Sequence, residues 1–223
     1  MKNHILSLFS TFICFILISC NKNAQIKTPV FEIKTDFISK DSNFKKIIEL
    51  EHSLSQQIEN ILIAKNITRN RLNYIFDSLK SNSKSVLDLN LKINEQISPG
   101  LYESLTIFEI NYRKNWSYLT KRYISISSVE INTATKKYYQ TIESNKIYLA
   151  SKRRFSINNN YIAKACGWSY GLCLAGATAG AILCHSSCIG ATAGFGAPAC
   201  VLLCGTIQIA VGEECFRNYC AEK

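Results

Sequence analysis

The last quarter of this chain limits its fold more than any other part. From Cys166 to Gly212 there is no Lys, Arg, Asp or Glu, while the same stretch holds nine of the chain's ten glycines and nine alanines. Eight cysteines fall between residue 166 and the end of the chain: Cys166, Cys173, Cys184, Cys188, Cys200, Cys204, Cys215 and Cys220. A segment rich in Gly has weak helix propensity, so crosslinks are expected to supply what local propensity lacks. What the thiols do depends on the compartment: an oxidising one makes disulfides, a reducing one leaves thiols or metal ligands.

The N-terminus addresses the compartment. Lys2 is followed by an uncharged run, ILSLFSTFICFILI, from Ile5 to Ile18. This run is shorter than the roughly 20 residues of a membrane span and suits the apolar centre of a signal peptide. It ends in Leu17-Ile18-Ser19-Cys20, which resembles the lipobox of bacterial lipoproteins. The resemblance implies that the Cys20 thiol receives a diacylglycerol and that cleavage makes Cys20 the first mature residue. The expected partner is therefore the lipid bilayer through acylated Cys20, where each buried methylene contributes about 0.8 kcal/mol. The expected location is exported and membrane-anchored, in the periplasm or on the cell surface. Of ten cysteines, Cys14 leaves with the signal peptide and Cys20 carries lipid, so eight remain. An even number in an oxidising compartment reads as four disulfides.

Four segments follow: a signal peptide at 1–19, a lipidated polar tether at 20–40, a basic helical bundle at 41–155 and a cysteine-rich helical module at 156–223. Asp41 or Ser42 can cap a helix in which Phe44, Ile47, Ile48, Leu54, Ile58, Ile61 and Leu62 keep helical spacing. Leu72, Ile75, Phe76 and Leu79 form a second stripe. Residues 86–97 admit two periods, because Leu87, Leu89, Leu91 and Ile93 alternate while Val86, Leu89, Ile93 and Ile97 have helical spacing. Ser98-Pro99-Gly100 breaks the chain, Leu105, Phe108, Tyr112, Leu119 and Tyr123 mark a long helix beyond it, and 133–154 carries a weaker helical pattern. The expected class is all-α: a helical bundle followed by a small stapled hairpin.

Charge divides the chain at the same place. The net charge is +10, and from Cys166 onward Arg217 and Lys223 stand against Glu213, Glu214 and Glu222, a balance of −1 that leaves +11 for the preceding segment. Lys136, Lys137, Lys152, Arg153 and Arg154 are its densest cluster. Such a face can keep the bundle in solution or hold anionic envelope components. Export separates the chain from nucleic acid, and no nucleic-acid motif is present.

Within the module, Cys-x-x-x-Cys occurs at 184/188 and 200/204, and GATAG occurs at 176–180 and 190–194. A spacing of four sets both thiols of a pair on one helical face, so two such helices can be stapled together. Pairing between the two motifs is expected, although eight cysteines leave the full connectivity open. A disulfide holds its Cα atoms about 5.5–6 Å apart, closer than ordinary helix packing at about 8–10 Å, so small neighbours are needed. Gly176/Gly180 and Gly190/Gly194 also match the small-xxx-small code of membrane helices. The uncharged windows 168–184 and 195–212 approach the length of a span, with Trp168, Tyr170 and Tyr219 near their ends.

The C-x-x-x-C pairs and GATAG runs, in a block rich in Gly, Ala and Ile and poor in charge, resemble the halocin-type cysteine-rich antimicrobial peptides. Those are released from the C-terminal part of a larger secreted precursor. The resemblance implies bacteriocin-like membrane activity for the module, a leader or self-protection role for the bundle, and processing at a site such as Lys152-Arg153-Arg154. The alternative is a cell-envelope interaction or binding lipoprotein that keeps its module. An enzyme is not expected: outside the signal peptide the histidines are His52, read as solvated, and His185, beside Cys184. Oxidised cysteines offer neither a nucleophile nor metal ligands, so no catalytic residue, metal or cofactor is assigned.

Overall fold

Proline suits the first turn of a helix, where its missing N–H has no partner to lose, and Pro29 opens α1 (Pro29–Lys40). The computed structural model describes residues 29–68, 71, 74–75, 86–141, 168–191 and 197–220. The expected signal peptide, Cys20, Leu72, Phe76, Leu79, the Lys152-Arg153-Arg154 run, Cys166 and Gly194 lie outside them. Every element among the described residues is an α-helix.

The assignment of 20–40 to a polar tether is corrected at its C-terminal end by α1. Thr35 and Ile38 are fully buried and Ser39 nearly so, at i, i+3 and i+4 on one face. Two of these residues are polar, which hides the stripe from a hydrophobicity count. Their hydroxyls donate back to the carbonyls of Glu32 (3.0 Å) and Asp36 (2.7 Å), so they can face a core without a lost hydrogen bond.

Asp41 ends α1 and begins α2 (Ser42–Ala64): its side chain accepts from the Asn43 N–H at 2.8 Å, as an N-cap does. Its other oxygen accepts from Arg122 at 3.1 Å and from the Tyr123 hydroxyl at 3.3 Å, which ties this corner to a distant helix. Phe44, Ile47, Ile48, Leu54 and Ile58 are buried on α2 as their spacing requires. The ambiguous stretch is helical, α3 (Val86–Gln96). Ile93 and Ile97 are buried and Leu91 is half exposed, so the 3.6-residue period prevails over the alternation.

Gly100 turns the chain at φ +76°, a left-handed conformation that costs glycine nothing, and α4 (Leu101–Arg122) follows. The string Ser127-Ser128-Val129-Glu130 is a capping box: the Glu130 N–H donates to the Ser127 hydroxyl at 3.2 Å, and the Ser127 N–H donates to the Glu130 carboxylate at 2.7 Å. It opens α5 (Ser128–Thr141).

The last two helices, α6 (Trp168–Ala191) and α7 (Ala197–Tyr219), form the expected hairpin. They pack on each other, α5 packs on α6, α1 on α5, and α2 touches both α4 and α7. One apolar core runs through both parts of the chain, from Ile38, Phe44 and Ile58 through Leu105 and Tyr112 to Ile182, Leu202 and Phe216.

Candidate functional site

The stapled hairpin is the candidate site. Cys184 pairs with Cys204 and Cys188 with Cys200, so each bridge joins one C-x-x-x-C motif to the other, and Cys173 pairs with Cys215 further from the turn. The three bridges are nested, and their Cα separations are 5.7, 5.7 and 5.8 Å. Cys220 is also disulfide-bonded. The two inner bridges touch, with 3.3 Å between the sulfurs of Cys188 and Cys204. The Sγ atoms of Cys184, Cys188 and Cys204 lie within 4.8 Å of one another, close enough to ligate one soft ion if they were thiolates. In the oxidised hairpin they are held in S–S bonds and offer no thiolate.

Sequence reasoning expected the spaced glycines to bring helices together. Around Gly176, Gly180 and Gly190 an added Cβ would meet nothing within 4 Å. The contact face of α6 is built from Ala175, Ala179 and Ile182 instead. The tight glycine is Gly205 on α7, where a Cβ would stand 2.6 Å from Ile58 Cδ1 on α2. This small residue lets the hairpin approach the helices before it, rather than its own partner.

Two polar connections cross that boundary. His185 and Glu51 are both fully buried, with Nδ1 of His185 2.8 Å from Glu51 Oε1. Nε2–H of His185 donates to the Val201 carbonyl at 3.1 Å, which anchors the imidazole within the hairpin. Burial raises the Glu51 pKa, while the neighbouring His185 opposes that shift. Phe108 and Tyr112 enclose the imidazole, with ring centroids 4.8 and 5.8 Å away. The Tyr112 hydroxyl donates to the Ile182 carbonyl at 2.6 Å.

The second connection is a chain of hydrogen bonds through four helices. Ser55 donates to Gln208 Oε1, and the Gln208 amide donates to Thr178 at 3.4 Å. Thr178 meets the Tyr139 hydroxyl at 2.8 Å, and Tyr139 meets His52 Nε2 at 2.8 Å. A single direction of donation, from Ser55 toward His52, satisfies every member.

Both histidines therefore differ from expectation. His52, read as solvated, is half-buried and bonded to Tyr139. His185, whose place beside Cys184 suggested metal or nucleophile chemistry, has both ring nitrogens engaged by Glu51 and Val201. Glu51 was missed, yet a signal existed: it falls on the apolar stripe of α2 between Ile47, Ile48 and Leu54. Gln208, a polar residue inside an apolar run, was a similar signal. Of the basic cluster, Lys137 donates to the Glu32 carbonyl at 3.0 Å and lies 4.0 Å from Asp36, so it holds α1 in place.

By length and composition, Ser169–Gly190 and Pro198–Tyr219 are each apolar enough to cross a membrane, with mean hydropathies of 1.6 and 1.5. In this fold 56% and 50% of those windows are buried, partly by the two helices against each other and partly by α2, α4 and α5. No family model, curated protein or solved structure matches this chain.

Proposed function

We infer that the chain is an exported lipoprotein precursor, anchored through acylated Cys20, whose C-terminal four-disulfide hairpin acts on membranes once it is freed from the helices that cover it. The observation carrying this reading is the cover. A hairpin of two bilayer-length apolar helices is cross-linked into one shape and held by the preceding helices of the same chain. A membrane-active module needs such a cover to stay soluble before use, because large exposed apolar patches associate. Lys152-Arg153-Arg154 would provide the release point, and the bundle would act as leader and self-protection domain. The basic bundle would meet anionic envelope lipid or polymer.

A second reading is favoured by the Glu51–His185 pair. A buried pair joining bundle to hairpin ties the two together, as a binding lipoprotein that never releases its module would require.

Dye release from phosphatidylglycerol vesicles separates the two. Oxidised whole protein is compared before and after limited trypsin cleavage in the 152–154 run. Release only after cleavage supports the precursor. Cleaved, fully oxidised protein that leaves vesicles intact sinks it. A mass spectrum of membrane and supernatant fractions then reports the acyl group on Cys20 and any released fragment.

A further inference from the structure

The helix nearest the lipid attachment point carries an apolar stripe that faces solvent. On α1, Val30 is 74% exposed, Ile33 58% and Phe37 61%. Their spacing of i, i+3 and i+7 gathers them on one narrow face, turned away from the buried Thr35, Ile38 and Ser39. Lys34 and Lys40 flank the stripe, one on each side. Lys34 is held in place by Glu130 at 3.0 Å and by the Ile124 carbonyl at 3.2 Å, and Lys40 by Asp36 at 2.7 Å. Through that Lys34 contact the loop carrying Ile124, itself 81% exposed, lies beside α1.

We propose that this face of α1 is a bilayer-docking surface: the Val30–Ile33–Phe37 stripe enters the interfacial layer of the membrane. The proposal rests on the reading of Cys20 as lipidated. Chain length then selects the occupant. Only residues 21–28 separate Cys20 from Pro29, and that segment fully extended reaches about 30 Å. Once the acyl chains are inserted, α1 cannot leave the neighbourhood of the membrane surface. An exposed apolar stripe on one helix face is the form that interfacial helices take. The acyl chains supply the anchor, and the stripe orients the helices that pack against the hairpin relative to the membrane.

The test places an indole on the face. Phe37→Trp is introduced into the full chain, which is produced in a lipoprotein-processing host, purified and mixed with phosphatidylglycerol vesicles. Emission is compared with the unsubstituted chain, which already holds Trp116 and Trp168. A blue shift of the added indole, with several-fold protection from acrylamide, is expected. The combined Val30→Asn, Ile33→Asn and Phe37→Asn variant should partition about tenfold less into the vesicles while keeping its helical circular dichroism. An unshifted indole in vesicle-bound protein overturns the proposal. So does a blue shift without vesicles that grows with protein concentration, since a second copy then covers the face. A shift confined to chains that keep their signal segment overturns it too. Palmitate incorporation is scored on the same preparations, so failure of the lipid reading shows separately from failure of the face.

Discussion

At the scale of single residues, the buried pair of Glu51 and His185 is the most consequential feature. Taking two ionisable groups out of water is costly, and their mutual bond offsets that cost only while both are present. Glu51→Ala or His185→Ala should each destabilise the protein by about 3–5 kcal/mol, with the double variant costing clearly less than the sum. Urea unfolding of the three variants measures this, and additive losses would show that the pair does not interact. The buried tyrosines set the alkaline limit. Burial raises the pKa of both Tyr112 and Tyr139 above the ordinary value of 10.0. A group whose pKa is raised by folding adds stability that is complete below its unfolded value and lost as pH rises toward its folded value. Unfolding free energy should therefore fall above pH 10, by about 1.4 kcal/mol per pH unit for each tyrosine. Tyr139→Phe should remove one tyrosine's share of that slope in urea titrations across this range.

At the scale of elements, the glycines of the hairpin divide by what surrounds them. Gly176 and Gly180 sit in a helix with open space where a Cβ would go, so Gly→Ala at either should stabilise by up to about 1 kcal/mol through helix propensity. Gly205→Ala should instead destabilise by about 1–3 kcal/mol, because the methyl would displace the terminal carbon of Ile58, a side chain only 1% exposed. Thermal midpoints of the three variants give the signs, and a stabilising Gly205→Ala would show that the α2–α7 contact is loose. The sequence contained the small residues but not which of them mattered. Helical spacing puts Gly176 and Gly180 on one face, and only the packing of α6 turns that face away from its neighbours. The C-x-x-x-C pairs were more legible, because a spacing of four on two helices leaves few ways to join them.

At the scale of the whole molecule, composition suggests two parts and packing makes one core. Ile58 and Leu54 from the charged part meet Gly205 from the apolar part, and Tyr112 bonds to the Ile182 carbonyl across the same boundary. The protein should therefore unfold in one transition. Far-ultraviolet circular dichroism and tryptophan fluorescence, with Trp116 on α4 and Trp168 on α6, should give coincident urea midpoints. Separated midpoints would mean that the hairpin folds apart from its cover. This outcome bears on release: in a single cooperative unit, cleavage of the chain alone does not free the hairpin, and a membrane must compete for its apolar faces.

The sequence by itself determined the helical class, the buried stripes of α2 and α4 and the chain break at Gly100. It pointed to pairing between the two C-x-x-x-C motifs while leaving the connectivity open. Each of these follows from local spacing, and local spacing is what a helix converts into a face. The tertiary structure decided what the faces meet. It buried the Thr35–Ser39 side of α1 that hydrophobicity could not mark, and it joined Glu51 to His185 across 134 positions of sequence. It also laid the bundle over the cysteine-rich hairpin. Those outcomes depend on which side chains occupy the same space, and one-dimensional periodicity carries no information about that. The uncharged, cysteine-dense stretch with which the chain ends thus announces a stapled apolar hairpin, and the fold packs the preceding helices against it.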